Sequence, residues 1–400
     1  MIRHGLFCRR FSLFKDVVVG TRDLLSSYSS GNFDGFEVVI LGTSGAVPTP
    51  NRGVSSTAIR LEGEIWLVDA GEGTQLQIQK SFISASKISK IFVTHLHGDH
   101  IFGLPGLLCH MAASRSPSAP RVEIYGPSGL RAFLRSVFSL SSTSFELAFS
   151  VNELVLRESH YDYFKQWNTP HPQFASGPLA SARPFLPHEL HGTDISCSDG
   201  KSSHVWNVLE TPQYRVSAGL LQHRVPCFGF VFEEKEQFGA LNVKRCADLG
   251  IPTGPLLREL KQGRAVSLAN GSVIAPNDVL GPSRPGRKVV LLGDTSNSDS
   301  ILDIGKNCDL LVHECTLPRS LASEAFARGH STAAMAGWFA RMLNASNLVL
   351  SHFSPRFDAL RDYQLLVQDA SAAFGSKNVL VAQDFTHVPI PRKYSFPCLS

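Results

Sequence analysis

A stretch of seven residues in this chain carries four side chains that can bind a metal ion. The stretch THLHGDH, residues 94–100, contains His95, His97, Asp99 and His100 and no cysteine. Imidazole and carboxylate ligands without thiolates suit a zinc, manganese or iron ion that does chemistry, because structural zinc sites are usually richer in cysteine. The stretch therefore predicts a metal centre with a reactive role.

Three further candidate ligands follow apolar runs elsewhere in the chain. Asp294 follows KVVLLG, His352 follows NLVLS, and His223 lies in LLQHRVPCFGFVF. Each of them alone is more often an ordinary packed, surface or turn residue. Polar residues at the carboxyl ends of strands nevertheless converge on one edge of an α/β sheet. Together the seven side chains exceed the needs of one tetrahedral ion, so we expect two ions that share Asp294.

For the elements that must position these residues, the sequence predicts strands that alternate with helices. Short apolar runs such as FEVVILG, EIWLVDAG and KIFVTH recur from residue 35 onward, separated by helix-like stretches such as STAAMAGWFARML. This pattern predicts an α/β layered fold. With 43% hydrophobic and 18% charged residues, the chain can bury one large core or two smaller ones. No apolar run approaches the roughly 20 residues that span a bilayer, so we expect no membrane association.

Charge and cysteine usage limit the remaining classes of protein. A net charge of +4 is compatible with a polyanionic partner, but many ordinary enzymes carry as much charge, so the net charge does not identify the partner. The eight cysteines form no CxxC pair, which argues against a thiolate zinc finger and favours a reducing compartment.

The first residues, MIRHGLFCRRFSLFK, are basic and lack acidic side chains before Asp16. Such a segment is typical of a transit peptide for mitochondria or plastids. The alternative is a disordered basic tail on a cytoplasmic or nuclear protein. We therefore assign residues 1–35 to an N-terminal extension and residues 36–395 to a catalytic domain.

Two segments interrupt the strand and helix pattern. Residues 159–212 are rich in proline, serine and glycine and predict a surface insertion. This insertion contains HELH, whose His188 and His191 we interpret as loop residues, because no strand delivers them to the site. Residues 233–287 combine alternating charges with a Gly-Pro turn and predict an excursion from the core.

Further motifs carry a resemblance to a known family. LGTSGAVPTPNR, DAGEGTQLQ, HRVPCFGF, LGIPTGPLLRELKQG, HECT, GHST and SHFSPRF, beside HLHGDH, resemble the short form of ribonuclease Z, a tRNA 3′-end endonuclease family of the metallo-β-lactamase superfamily. The likeness covers roughly residues 36–390. It implies a four-layer αββα sandwich, a tRNA-binding arm over residues 233–287, and a homodimer in which the arm of one subunit serves the other.

The resemblance also implies an activity and a set of ligands. The activity is zinc-dependent removal of the 3′ trailer from precursor tRNA, which leaves a tRNA 3′-hydroxyl and a trailer 5′-phosphate. The cofactor is two zinc ions per subunit, with manganese as a substitute. One ion would be held by His95, His97 and His223, the other by Asp99, His100 and His352, with Asp294 bridging them.

Three residues are candidates for proton transfer. Asp99 would accept a proton from the attacking water, or it is a ligand only. His330 lies just before a predicted helix start at Ser331 and Thr332 and would protonate the departing ribose oxygen. The resemblance implies that Glu314 orients His330; from the sequence alone, Glu314 could equally be a surface carboxylate after a strand.

Substrate contacts and alternative functions remain open at this level. Phe238-Gly239-Ala240 departs from the family's Pro-Gly-Lys-Leu, and Gly53 replaces the usual asparagine, which leaves the arm contacts and the rejection of mature CCA ends undecided. One alternative is a hydrolase of small esters or cyclic phosphodiesters on the same fold, and another is a metal-stabilised RNA-binding protein without turnover. The candidate phosphate contacts, which could instead form a solvated charged face, are Lys244, Arg245, Arg258, Lys261 and Arg264.

Overall fold

The computed structural model describes residues 33–116, 119–164, 166–167, 184–198, 203–358 and 363–392. Nearly all of the predicted N-terminal extension therefore lies outside the described residues. The chain divides into two compact units. The larger unit comprises Met1–Glu210, Val216–Phe232 and Lys288–Ile390, and the smaller unit comprises Thr211–Arg215, Glu233–Arg287 and Pro391–Ser400.

The first sheet combines an antiparallel part with a parallel part. Its order is β18-β1-β2-β3-β4-β5-β6-β7, and β8 pairs with β6. The strands from β18 to β3 are antiparallel, whereas those from β3 onward are parallel. The strands are β1 (Phe36–Gly42), β2 (Ser56–Leu61), β3 (Ile65–Val68), β4 (Ile88–Phe92), β5 (Val122–Pro127), β6 (Phe149–Val155), β7 (Glu189–Leu190), β8 (Asp194–Ser196) and β18 (Thr386–Pro389).

The second sheet has the order β17-β16-β15-β14-β11-β10-β9. Strands β14 to β17 are parallel, so the residues that follow them emerge at the same edge of the sheet. The strands are β9 (Val205–Glu210), β10 (Tyr214–Leu221), β11 (Cys227–Glu234), β14 (Lys288–Leu291), β15 (Leu310–Glu314), β16 (Leu348–Ser351) and β17 (Val379–Val381).

Each sheet of the larger unit is covered by its own helices. Helix α4, LRAFLRSVFSLS, buries Leu130, Leu134 and Phe138 at a helical spacing of four residues. These residues belong to the core of the first sheet, and a separate core joins the second sheet to its helices. The helices are α1 (Thr74–Lys80), α2 (Gly98–Ile101), α3 (Leu104–Ser114), α4 (Leu130–Ser141), α7 (Leu302–Gly305), α8 (Ala322–Ala327), α9 (Ala333–Met342) and α10 (Tyr363–Phe374).

Aromatic side chains join the two sheets. Phe92 of the first sheet lies 5.4 Å from Phe230 of the second, and Trp66 lies 6.1 Å from Phe232, measured between ring centroids. All four rings are buried. The layers therefore run helix, sheet, sheet, helix, which confirms the predicted αββα sandwich.

The prediction of a surface insertion over residues 159–212 is wrong where its residues form strands of the sandwich. Strands β7 and β8 lie within it and pair with β6 in the first sheet. Residues 205–210 form β9, an edge strand in which Trp206 and Val208 are buried. The Trp206 indole donates a hydrogen bond to the carbonyl of Val155 at 3.2 Å, and its ring lies 5.1 Å from Phe228. The polar, turn-rich residues before this strand hide its alternation of buried and exposed positions.

The smaller unit contains the whole segment predicted as an arm, residues 233–287. Its elements are α5 (Val243–Asp248), α6 (Pro255–Lys261), β12 (Val266–Ser267) and β13 (Val273–Ile274). Cys246, Ile251 and Leu260 belong to its own small core. A buried ion pair joins Glu234 to Arg287, with an Nη2 to Oε1 distance of 2.9 Å. Among the described residues of the whole chain, no helix is long and apolar enough to span a membrane.

Candidate metal centre

Strand ends bring the predicted ligands together in the larger unit. The stretch 94–100 follows β4, Asp294 follows β14, and His352 comes directly after β16. His223 follows β10. The donor atoms lie within 4.8 Å of one another in each of three groups. The first set is His95, His97, His223 and Asp294, and the second set is Asp99, His100 and His352. The third group joins Asp294 and His352 to His330.

Asp294 lies between the two sets, with one carboxylate oxygen toward each. Oδ2 is 3.7 Å from Nε2 of His95 and 3.8 Å from Nε2 of His223. Oδ1 is 3.4 Å from Nε2 of His100 and 3.2 Å from Nε2 of His352. The two oxygens of Asp294 therefore face different pairs of imidazoles.

In the first set, the imidazole nitrogens point at one another. Nδ1 of His97 lies 3.0 Å from Nε2 of His95 and 3.3 Å from Nε2 of His223. Burial lowers the pKa of His97 to about 4 and that of His223 to about 3. Both imidazoles are therefore neutral at pH 7, which is the form that binds a metal.

The second set combines two imidazoles with the carboxylate of Asp99. Oδ2 of Asp99 lies 3.3 Å from Nε2 of His352 and 3.5 Å from Nε2 of His100. Burial opposes the charged form of both imidazoles, but the carboxylates outweigh it and raise their pKa values. The principal carboxylates are Asp99 for His100 and Asp294 for His352. A cation that binds here would displace those protons.

A buried carboxylate oxygen that receives no hydrogen bond indicates that the residues fit a metal. Oδ1 of Asp294 is buried and has no hydrogen-bond partner among the described residues, although two imidazole nitrogens lie 3.2 to 3.4 Å away. A buried carboxylate oxygen without a hydrogen bond is costly, and a cation would satisfy it. The five imidazoles and two carboxylates are also ligands that zinc accepts.

Hydrogen bonds behind the imidazoles fix which nitrogen faces the centre. Nδ1 of His100 lies 2.7 Å from Oδ2 of Asp69, and Nδ1 of His223 lies 2.7 Å from the carbonyl of Gly329. Nδ1 of His352 lies 2.9 Å from the hydroxyl of Thr316. In each case Nε2 faces the centre. Metal-binding histidines are commonly oriented in this way, by a hydrogen bond from the ring nitrogen that does not bind the metal.

The sequence analysis missed these supporting residues. Asp69 could have been found, because it follows the apolar run EIWLV just as Asp294 follows KVVLLG. Asp69 and His352 both have a positive φ, of 60° and 56°, a strained conformation that is common at functional sites. No sequence signal identifies the Gly329 carbonyl, because every residue carries one.

The three residues predicted to transfer protons lie around the same centre. Nδ1 of His330 is 3.0 Å from Oε1 of Glu314 and 3.8 Å from Oδ2 of Asp294. Burial disfavours the imidazolium, but Glu314 and then Asp294 outweigh it and raise the pKa of His330 to about 9. Asp99 accepts a hydrogen bond from the amide of Ala46 at 2.7 Å.

Glu314 is buried, so it is not the surface carboxylate that the sequence left open. Its Oε1 accepts from the amide of Thr295 at 2.8 Å, and its Oε2 accepts from the hydroxyl of Thr316 at 2.5 Å. Burial opposes the charged form of Glu314, but the charge of His330 and its hydrogen bond outweigh burial and lower the pKa of Glu314. His330 itself precedes α9, whose N-cap is Thr332.

The HELH pair does not join the centre. His188 and His191 are exposed, and neither belongs to a metal-binding group within the described ranges. Glu189 between them is instead paired with Arg135 at 2.7 Å.

Comparison with known proteins identifies the family. Zinc phosphodiesterase ELAC protein 1 of Homo sapiens is 39% identical over 369 residues, which cover 89% of this chain and 99% of that protein. The chain belongs to the ribonuclease Z family. A protein named ribonuclease Z from Synechocystis sp. is 37% identical over 368 residues, covering 91% of this chain and 97% of its own.

Structural comparison agrees with this membership of the ribonuclease Z family. The crystal structure of human tRNase Z, short form, aligns with a TM-score of 0.59 and 32% identity, covering 89% of this chain and 99% of that one. A yeast long-form RNase Z shares the fold, with a TM-score of 0.53 and 16% identity over 94% of this chain and 45% of its own. A profile described as anti-Pycsar protein Apyc1 also matches, but only over residues 36–146.

Proposed function

We propose that this ribonuclease Z family member is a zinc-dependent endoribonuclease that removes the 3′ trailer from precursor tRNA. The products are a tRNA with a free 3′-hydroxyl and a trailer with a 5′-phosphate. One observation carries the proposal: the Asp294 carboxylate lies between two sets of donor atoms, with the Glu314–His330 pair beside it. The relatives named zinc phosphodiesterase, ribonuclease Z and tRNase Z support the metal and the substrate.

We propose two zinc ions per subunit, with manganese as a substitute because the donors are nitrogen and oxygen. When bound, zinc supplies an activated water and neutralises charge on the phosphodiester. His95, His97 and His223 would hold one ion, and Asp99, His100 and His352 the other. Asp294 would bridge the two, since its two oxygens face different sets.

The residues of the chain supply the proton transfers. Asp99 would accept the proton of the attacking water, and the Ala46 amide holds its carboxylate in place. His330, kept protonated by Glu314, would give a proton to the ribose oxygen that leaves. Acid and base thus come from different elements, α2 for Asp99 and the residues before α9 for His330.

The smaller unit offers charge for an RNA backbone. Lys244, Arg245, Arg258 and Lys261 are exposed and have no ion pair in the part of the chain that the structure describes. Arg264 differs, because Glu259 already neutralises it. We propose that the four unpaired cations contact tRNA phosphates. A homodimer remains part of the proposal on the basis of the family resemblance.

Import into mitochondria or plastids is also a proposal, with a cytoplasmic or nuclear location as the alternative. Arg3, Arg9, Arg10 and Lys15 support it, and these residues lie outside the described part of the chain. A fusion of residues 1–35 to a fluorescent protein tests it. Diffuse fluorescence in cells would contradict import.

The activity is tested with two substrates and a chelator. Purified protein is incubated with a labelled tRNA precursor and with bis(p-nitrophenyl) phosphate, with and without chelator, beside an Asp99→Ala variant. We expect cleavage of the precursor that stops on chelation and in the variant. Hydrolysis of the ester alone would favour the small-ester alternative, and RNA binding without product would favour the non-catalytic one. Cleavage that resists the chelator would contradict the metal mechanism.

A further inference from the structure

Trp167 links the segment predicted as an insertion to the residues that precede His330. Its indole Nε1 donates a hydrogen bond to the carbonyl of Ala327 at 2.8 Å, across 160 residues of sequence. Ala327 is the last residue of α8. The last carbonyls of a helix lack a donor within the helix, so the indole supplies a partner from outside it.

The end of α8 leads directly into the metal centre. Gly329 has a φ of 76°, and the amide of His330 donates back to the carbonyl of Ala325 at 2.8 Å, a glycine-terminated helix end. The Gly329 carbonyl then accepts the hydrogen bond from Nδ1 of His223. A shift at this helix end would therefore move His330 and loosen the hydrogen bond that orients His223.

The end of α8 has little space for adjustment. A Cβ placed on Gly329 would lie 2.9 Å from Nδ1 of His223 and 3.1 Å from its Cα. The chain beyond is fixed as well, because the Ser331 hydroxyl donates to the carbonyl of Thr295 at 2.6 Å.

Trp167 is itself held by buried structure. Its amide donates to the carbonyl of Phe164 at 3.0 Å, and the Phe164 side chain is buried. The neighbouring Tyr163 ring lies 4.9 Å from that of His204. His204 in turn precedes β9, whose Trp206 is buried in the sandwich. The backbone of Trp167 is thus tied to a buried residue, and its indole reaches Ala327 through a hydrogen bond at the surface.

We propose that Trp167 is a positioning residue that holds the end of α8, and through it His330, for the cleavage of RNA. This inference rests on the proposed function. It gives the segment ahead of β9 a role at the centre, although none of the described residues of that segment belongs to a metal-binding group.

The test is Trp167→Phe, which keeps an aromatic ring and removes the N–H donor. With excess zinc, we expect kcat for the tRNA precursor to fall about fivefold with KM unchanged, the size of one ordinary hydrogen bond. Hydrolysis of bis(p-nitrophenyl) phosphate should change less than about twofold, because nitrophenolate leaves without a proton from an acid. Trp338→Phe is the matched control, since Trp338 is 52% exposed and its indole has no hydrogen bond within the described ranges.

Two readouts are independent of turnover. Hydrogen exchange of the peptide covering residues 325–332 should be faster in Trp167→Phe than in Trp338→Phe, because the His330 amide opens more often. The variant should also lose zinc at a lower chelator concentration, through the weakened orientation of His223.

Unchanged exchange together with unchanged kcat would overturn the inference. Equal losses on both substrates, together with a lowered unfolding temperature, would also overturn it in favour of a general structural role. Failure of the wild-type protein to cut any tRNA precursor would contradict the proposed function instead. The exchange and zinc-loss measurements would then still decide whether Trp167 holds the end of α8.

Discussion

Asp294→Asn tests whether one carboxylate serves two metal ions. The substitution keeps the shape of the side chain and removes its charge. Each oxygen faces two imidazole nitrogens, at distances from 3.2 Å for His352 to 3.8 Å for His223. A neutral amide cannot place an anionic oxygen toward both sets. We therefore expect weaker binding at both positions, not at one.

The magnitude follows from linkage between binding and folding. Losing an outer partner of a ligand already costs roughly 10- to 100-fold in metal affinity, so a hundredfold loss is a conservative expectation for the bridge. At a free zinc concentration about 100 times the wild-type Kd, each bound zinc ion adds about 2.7 kcal/mol to the free energy of unfolding. With a hundredfold weaker Kd, the same relation leaves about 0.4 kcal/mol for each ion.

The assay is thermal unfolding of each protein with zinc and with chelator, beside elemental analysis of the zinc-loaded samples. The quantity compared is the zinc-dependent rise in Tm, because this difference cancels the effect of the substitution on the metal-free protein. The double variant His188→Ala, His191→Ala is the control, since these exposed histidines lie outside the metal-binding groups. A full zinc complement and an undiminished Tm rise in Asp294→Asn would refute the bridging role.

Three further substitutions test the acid His330, the close contact of Gly45 with the ligand His352, and the charges of the arm. Glu314→Gln removes the main cause of the raised pKa of His330, which is about 9. The alkaline limb of the pH profile of kcat/KM, where activity falls as the acid loses its proton, should therefore move to lower pH. An alkaline limb that does not move would exclude His330 as the acid. Gly45→Ala would place a Cβ 2.6 Å from Cε1 of His352, and titration should show at least about tenfold weaker zinc binding than in the wild type. Lys244→Gln should reduce the slope of log affinity for the precursor against log salt concentration by about one unit. Arg264→Gln should reduce this slope by less, because Arg264 is already paired with Glu259. Equal changes in the two variants would argue against phosphate contacts.

The histidine motif could be predicted from sequence because its ligands are local. His95, His97, Asp99 and His100 are so close in sequence that any turn after β4 keeps them near one another. The strand-end rule extended the set to Asp294 and His352, since parallel strands open on a common edge. The sequence analysis missed Asp69, although this residue obeys the same rule. It also missed strand β9, because a turn-rich segment before the strand hides its alternation of buried and exposed residues.

The sequence by itself determined the kinds of ligand, the layered fold and the family resemblance, because these depend on residue types and on periodicities along the chain. Only the tertiary structure decided which oxygen of Asp294 faces which histidines, that Glu314 is buried against His330, and that Trp167 holds Ala327. Such contacts join residues far apart in sequence. Their distances are set by how sheets, helix ends and side chains pack together, and no local pattern encodes that packing.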